Sequence, residues 1–285
     1  KSYEITPDFC RLLGYFVSEG SFYRKEGSPR GIAFTFGPYS KPREKSYVDD
    51  VVKLLANIGF HASVDFYHNK TTVRTGKKAA GALMSQVGLD TTAQKKRVPD
   101  LIFNTTESNQ MEFLKGLYGG DGNFRNTKHS QAPGSYRNTL ELKTSSMILQ
   151  QTVGYLLDLL GVECSFHNGE NKKRRIENRI LAETQYYSVS VSNKAALDKL
   201  AGVVSWVGGT PKYSESVFSR GGPKTRRVPI SDSCFALPIK AIQELHELDD
   251  TVYDLSVGKT HRFESSFRIL CHNTGGGNPL LYKDG

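Results

Sequence analysis

Two acids stand at matching places in a repeated stretch. Glu19 closes Leu12-Leu13-Gly14-Tyr15-Phe16-Val17-Ser18-Glu19-Gly20, and Asp121 closes Leu114-Lys115-Gly116-Leu117-Tyr118-Gly119-Gly120-Asp121-Gly122. Each copy begins with apolar residues, sets small residues four apart (Gly14 and Ser18; Gly116 and Gly120) and ends in an acid followed by glycine. Positions i and i+4 share a helix face, so two such helices can approach backbone to backbone. The terminal glycines are expected in the left-handed conformation that stops a helix. The two carboxylates would then meet at the end of the pair. Like charges that close repel, and they stay ionised only around a cation; hard ions such as Mg²⁺ or Mn²⁺ prefer oxygen ligands. A metal held by two carboxylates activates water and stabilises a leaving oxyanion, which is the chemistry of phosphodiester hydrolysis.

Helix residues, acid and glycine recur in order, 102 residues apart (121 − 19 = 102). At these residues the chain resembles the LAGLIDADG homing endonuclease family in its single-chain, two-repeat form. The first copy has Glu19 where the family more often has Asp, and Val17 and Gly119 replace an acid at a variable position. The resemblance implies a monomer that makes one staggered double-strand cut across the minor groove of a long, asymmetric DNA site. It implies that Glu19 and Asp121 hold the metal, and that a lysine just before the last helix of each repeat assists. The matching lysines are Lys78 and Lys194, 59 and 73 residues beyond the acids (78 − 19; 194 − 121), with Lys77 an alternative to Lys78. Such a lysine would lower the pKa of the attacking water or stabilise the transition state.

The elements that must position these groups also repeat. Thr6-Pro7-Asp8 offers a helix start, a capping residue followed by proline in the first turn. Strand-like runs at 21–24 and 31–37 follow the first motif. Val51, Val52, Leu54, Leu55 and Ile58 then fall at helical spacing, ended by Gly59. A second pair of strands at 61–67 and 71–74 and a helix at 77–87 complete the unit. The second unit runs in the same order: strands at 123–125 and 139–144, a helix at 147–160 ended by Gly161, strands at 163–168 and 185–192, and a helix at 194–204. Echoes such as Lys78-Ala79-Ala80 and Lys194-Ala195-Ala196 support duplication. The expected fold is α+β, a pseudo-symmetric tandem repeat of α-β-β-α-β-β-α units forming a DNA-binding β-saddle. The expected divisions are repeat one at 1–97, a connector at 98–110, repeat two at 111–207 and a basic linker at 208–231.

Composition fits a polyanionic partner. Thirty-eight Lys and Arg against 29 Asp and Glu leave a formal charge of +9 in 285 residues, and neutralised phosphates release counterions. The four cysteines, Cys10, Cys164, Cys234 and Cys271, have no CxxC spacing, so neither a zinc site nor a disulfide framework is expected, which fits a reducing cytoplasm. No apolar run is long enough to span a membrane, and no signal peptide is visible. Arg24, Lys25, Arg30, Arg74, Arg125, Arg137 and Lys143 are the candidate DNA contacts on the strands. Lys172, Lys173, Arg174 and Arg175 form a loop charge run suited to phosphates.

The end of the chain carries different chemistry. Val252-Tyr253-Asp254-Leu255-Ser256-Val257, Thr260-His261-Arg262-Phe263 and Ile269-Leu270-Cys271-His272-Asn273-Thr274 resemble the C-terminal splicing segment of an intein, a partial, β-rich Hint segment at 232–273. An Asn side chain can attack its own carbonyl and cut the chain after itself. Asn273 would do so with His272 and His261 as proton donors, Asp254 orienting them, and Thr274 supplying the accepting hydroxyl. Residues 274–285 would then belong to the interrupted host protein. The resemblance also calls for an N-terminal nucleophile well ahead of the nuclease, and this chain begins at Lys1. It is read as a fragment that would not splice alone. Two other classes compete: an RNA maturase or DNA-binding protein on the same scaffold without nuclease activity, and a splicing element with a decayed nuclease.

Overall fold

The computed structural model describes residues 4–25, 28–89, 92–128, 136–172, 174–176, 179–181, 183–212, 228–231, 234–236, 262–264 and 270–272. They divide into two units, Lys1–Ser214 and Glu215–Gly285.

The first unit opens with helix α1 (Pro7–Glu19). Thr6 caps it by accepting the Phe9 N–H at 3.2 Å, and Pro7 fills a first-turn place where no N–H partner exists. Strands β1 (Gly20–Lys25) and β2 (Ser28–Phe36), helix α2 (Pro42–Asn57), strands β3 (Ser63–Phe66) and β4 (Thr71–Thr75) and helix α3 (Lys78–Gln86) follow. A single 3₁₀ turn (Ala93–Lys95) and the one-turn α4 (Asp100–Phe103) lead to helix α5 (Glu107–Asp121), capped by Thr106. The second repeat continues with β5 (Gly122–Lys128), β6 (Tyr136–Thr144), α6 (Met147–Leu159), β7 (Ser165–Asn171), the short pair β8 (Arg174–Ile176) and β9 (Arg179–Leu181), β10 (Thr184–Val191), α7 (Lys194–Lys199) and α8 (Ala201–Trp206). Two antiparallel sheets result, in the orders β1-β2-β4-β3 and β5-β6-β10-β7.

The same strand order in both halves comes from the same pattern. Ile32, Phe34 and Phe36 alternate along β2 and are buried, as Leu140 and Leu142 are along β6, while the residues between them face outward. One face of each sheet is thus sealed against helices. Helix α2 begins at Pro42, five residues before its first buried side chain, because a polar first turn gives no periodic signal. The helix expected at 194–204 breaks at the buried Leu200, and the bend aims Trp206 at α1, where its Nε1 donates to the Tyr15 hydroxyl at 3.0 Å.

The motif helices cross as closely as backbones can. A Cβ on Gly14 would lie 2.1 Å from the Phe113 carbonyl oxygen, and one on Gly116 would lie 2.1 Å from that of Arg11. Only hydrogen fits at either place. The left-handed conformation expected of the terminal glycines does not occur: Gly20 has φ −78° and ψ 148°, and Gly122 has φ −85° and ψ 151°. Each helix runs straight into a strand, so no reversal is needed, and glycine serves there for space, since a Cβ on Gly20 would meet the Phe16 oxygen at 2.4 Å. Left-handed ends occur where the chain does turn back, at Gly59 (φ 83°) and Gly161 (φ 66°).

In the second unit, β11 (Val228–Ser231) pairs with β12 (Cys234–Ala236), and β13 (Arg262–Glu264) with β14 (Leu270–His272), all antiparallel. No helix among the described residues is long and apolar enough to cross a membrane.

Candidate active site at the helix crossing

Glu19 is the last residue of α1 and Asp121 the last of α5, and the tight crossing brings their charges to bear on one another. Both acids stand at helix C-termini, where the helix dipole is negative and repels carboxylates. Burial and the Asp121 charge, opposed by Lys96, push the Glu19 carboxyl up to about 7, with Glu44 adding to the rise. Burial also raises Asp121, again opposed by Lys96. Asp121 remains reachable by solvent although protein crowds around it, and Glu19 is half-buried.

The cation beside them is one the sequence did not single out. Lys96 is half-buried, and its Nζ donates to the Ser18 carbonyl oxygen at 2.9 Å. Burial lowers the pKa of its ammonium, while Asp121 and Glu19 oppose that fall. Its backbone is pinned by the second repeat. The Ser146 hydroxyl donates to the Lys96 carbonyl at 2.7 Å, and the Val98 N–H donates to Thr152 Oγ1 at 3.1 Å. In the sequence Lys96 is one of three adjacent cations, Lys95-Lys96-Arg97, and nothing local says which one turns inward. The end of α5 has its own cation: Arg43 Nη2 donates to the Gly122 carbonyl at 3.0 Å and its Nε to the Tyr47 hydroxyl at 2.7 Å.

The two lysines expected to assist stand at helix starts. Lys78 is exposed at the first residue of α3, and Lys194 is exposed at the first residue of α7 beside Asp198. Neither is among the charges that shift Glu19 or Asp121. Arg74 on β4 pairs with Asp65, Arg125 on β5 with Glu141, and Lys143 on β6 lies 3.5 Å from the centre of the Tyr186 ring. Arg137 is exposed on β6, Arg30 is half-buried on β2, and Lys172 is exposed after β7. Lys173, Asp254, His261, Asn273 and Thr274 lie outside the described residues. So do the side chains of Arg24, Lys25, Arg174, Arg175 and His272, whose backbones belong to strands.

The donors fit a hard divalent cation. Glu19 and Asp121 offer carboxylate oxygens, the donors that such an ion prefers, and among the described residues no third His, Cys, Asp or Glu joins them in a metal-holding group. Mg²⁺ commonly binds one or two carboxylates and fills its shell with water and substrate phosphate.

The Glu19 shift sets a pH dependence. Its folded pKa lies above its ordinary value of 4.5, so the folded chain holds a proton that the unfolded chain releases between pH 4.5 and about 7. Stability of the metal-free chain is expected to fall as pH rises through that window. Thermal melts of the wild type and of Glu19→Gln should show the slope reduced in the variant; equal slopes would remove Glu19 as its source.

With that geometry in place, resemblance to known proteins becomes informative. Residues 108–205 match the LAGLIDADG-like domain. The matched stretch runs from α5 to α8 and includes Asp121. The chain is similar to a DNA polymerase of Thermococcus hydrothermalis, 28% identical over 283 residues, which are 95% of this chain and 16% of the relative. It is also similar to the replication factor C small subunit of Methanocaldococcus jannaschii, 22% identical over 315 residues, again 95% of this chain and 16% of the relative. The chain therefore spans less than a fifth of the length of these curated relatives. Among solved structures, the homing endonuclease I-DmoI in complex with DNA and Mn is similar at 14% identity, over 73% of this chain and 99% of that chain, with a TM-score of 0.45.

Proposed function

We propose that this chain is a metal-dependent, site-specific endonuclease that makes a staggered double-strand cut in DNA, encoded within an intein whose C-terminal splicing segment follows it. The observation that carries the nuclease reading is the meeting of Glu19 and Asp121 at the end of a glycine-lined crossing, with Lys96 acting on both.

In this reading Glu19 and Asp121 would hold Mg²⁺ or Mn²⁺. An ion held there would supply a nucleophilic water and charge for the leaving oxygen. The assisting lysine is Lys96 rather than Lys78 or Lys194, because its ammonium acts on both acids and can donate toward a phosphate oxygen. The open faces of the two sheets begin at the residues just after the acids, so a duplex lying along the strands would have its phosphates near them.

The insertion reading rests on the relatives. Proteins as different as a DNA polymerase and a replication factor subunit share this stretch while most of their length lies outside it. A segment that recurs in unrelated hosts behaves as an inserted element. Asp254, His261, His272 and Asn273 are the proposed splicing residues, with Thr274 opening the host sequence.

The test is to incubate the chain and Mg²⁺ with host-gene DNA from which the insertion has been removed, so that the codons before Lys1's element join that of Thr274. One double-strand break at the junction is expected. An intact duplex under saturating protein would reject the nuclease reading.

A further inference from the structure

The two sheets offer a duplex unequal surfaces. In the first sheet, pairing places Ser21, Ala33, Arg74 and Ser63 in one row across the open face, with Thr35, Thr72 and Asp65 in the next. Tyr23, 60% exposed, lies further along β1. The described side chains of this face include one cation, and it is engaged: Arg74 directs both Nε and Nη2 at a single oxygen of Asp65. Those two nitrogens form the fork that would otherwise grip a guanine edge. Among the described side chains of the face, hydroxyl and methyl groups remain.

The second face differs at the corresponding depth. Arg125 stands opposite Thr139, Arg137 opposite Thr127, and Lys143 opposite Ser188. Three cations thus share the described part of the face with one acid, Glu141. Arg125 meets Glu141 through Nη2 alone, at 2.5 Å, and its side chain is 54% exposed. The carboxylate steadies the guanidinium and leaves its other nitrogens to donate outward. Lys143 is held against Tyr186 with its Nζ 3.4 Å from Asn171 Oδ1.

We infer that sequence reading is divided unevenly: Arg125 and Arg137 of the second sheet read guanines, and the described rows of the first sheet, from Tyr23 to Asp65, read A·T pairs through Ser, Thr, Ala and Tyr. This inference rests on the nuclease reading above. Its chemistry is that of the major groove, where Arg donates in pairs to guanine O6 and N7 and small methyl-bearing side chains meet the thymine methyl. Arg125 lies four residues beyond Asp121. At about 3.3 Å per strand residue it is about 13 Å along the chain, or about four base pairs, from the acids.

Selection from randomised duplexes in EDTA, which prevents cutting, tests this with the wild-type chain, Arg125→Ala and Arg74→Ala. The wild type should enrich sites with guanine about four base pairs to one side of centre and A·T pairs on the other. Arg125→Ala should lower discrimination for that guanine about tenfold or more and leave the far side unchanged. Arg74→Ala should alter no base preference by more than about twofold. An Arg125→Ala chain that binds all sequences more weakly but prefers the same bases would overturn the inference, as would loss of a guanine preference in Arg74→Ala. A wild-type chain that enriches no duplex would reject the DNA-binding reading itself.

Discussion

Asparagine in place of Asp121 is expected to lower cleavage about a thousandfold or more while duplex affinity stays within about threefold. The change keeps shape and removes one negative charge at the helix end. A carboxylate that neutralises a divalent cation contributes several kcal/mol to a charged transition state, and each 1.36 kcal/mol is about tenfold in rate. Binding should persist because an acid facing phosphates repels them, and its loss can only help. The metal-free variant should also melt at a higher temperature near pH 7. Without the Asp121 charge, the buried Glu19 carboxyl ionises more easily, and mainly burial is left to set its proton apart from that of the unfolded chain. Single-turnover cleavage, filter binding and a melting curve check the three parts. Cleavage within about tenfold of wild type would remove Asp121 from the chemistry.

Alanine in place of Gly116 is expected to destabilise the chain by about 2–4 kcal/mol, against what helix propensity alone would give. Propensity favours Ala over Gly in a helix interior by about 1 kcal/mol. The added Cβ, however, would stand 2.1 Å from the Arg11 carbonyl oxygen, and backbone on both sides leaves nothing that can swing away. Overpacking of that kind costs about 1–3 kcal/mol or more, and here it also forces apart the helices that carry the acids. Cleavage should therefore fall in any molecules that remain folded. Gly76→Ala is the contrast, since a Cβ there meets nothing within 4 Å. It should be neutral or stabilising by up to about 1 kcal/mol. Denaturant unfolding of the two variants measures the difference; equal stabilities would mean that the crossing tolerates side chains.

The crossing was legible in the sequence because its requirement is local: small residues four apart, twice, followed each time by an acid. The sheets were legible for a similar reason, since alternation such as Ile32, Phe34 and Phe36 specifies both strand and buried face. Glu19 and Asp121 inherit their places from the ends of the repeated helices. Lys96 could not be found that way. Its position depends on Ser146 and Thr152, about fifty residues later, which pin the connector against α6. Arg43 is a similar case, an exposed residue in a polar first turn whose partner, the Gly122 carbonyl, belongs to the other repeat. Charges on the strands were visible as residues, but their engagement was not. That Arg74 is occupied by Asp65 while Arg125 keeps donors to spare follows from cross-strand register, which needs the sheet order.

Helix dipoles, burial and mutual repulsion all act against two ionised carboxylates at this crossing, and a divalent cation answers each of them. Titration of Mn²⁺ into the metal-free chain with bound duplex, followed by the electron paramagnetic resonance of free Mn²⁺, tests this most directly. Saturable uptake is expected in the wild type and should weaken at least tenfold in both Glu19→Gln and Asp121→Asn. Uptake of equal strength in all three proteins would contradict it.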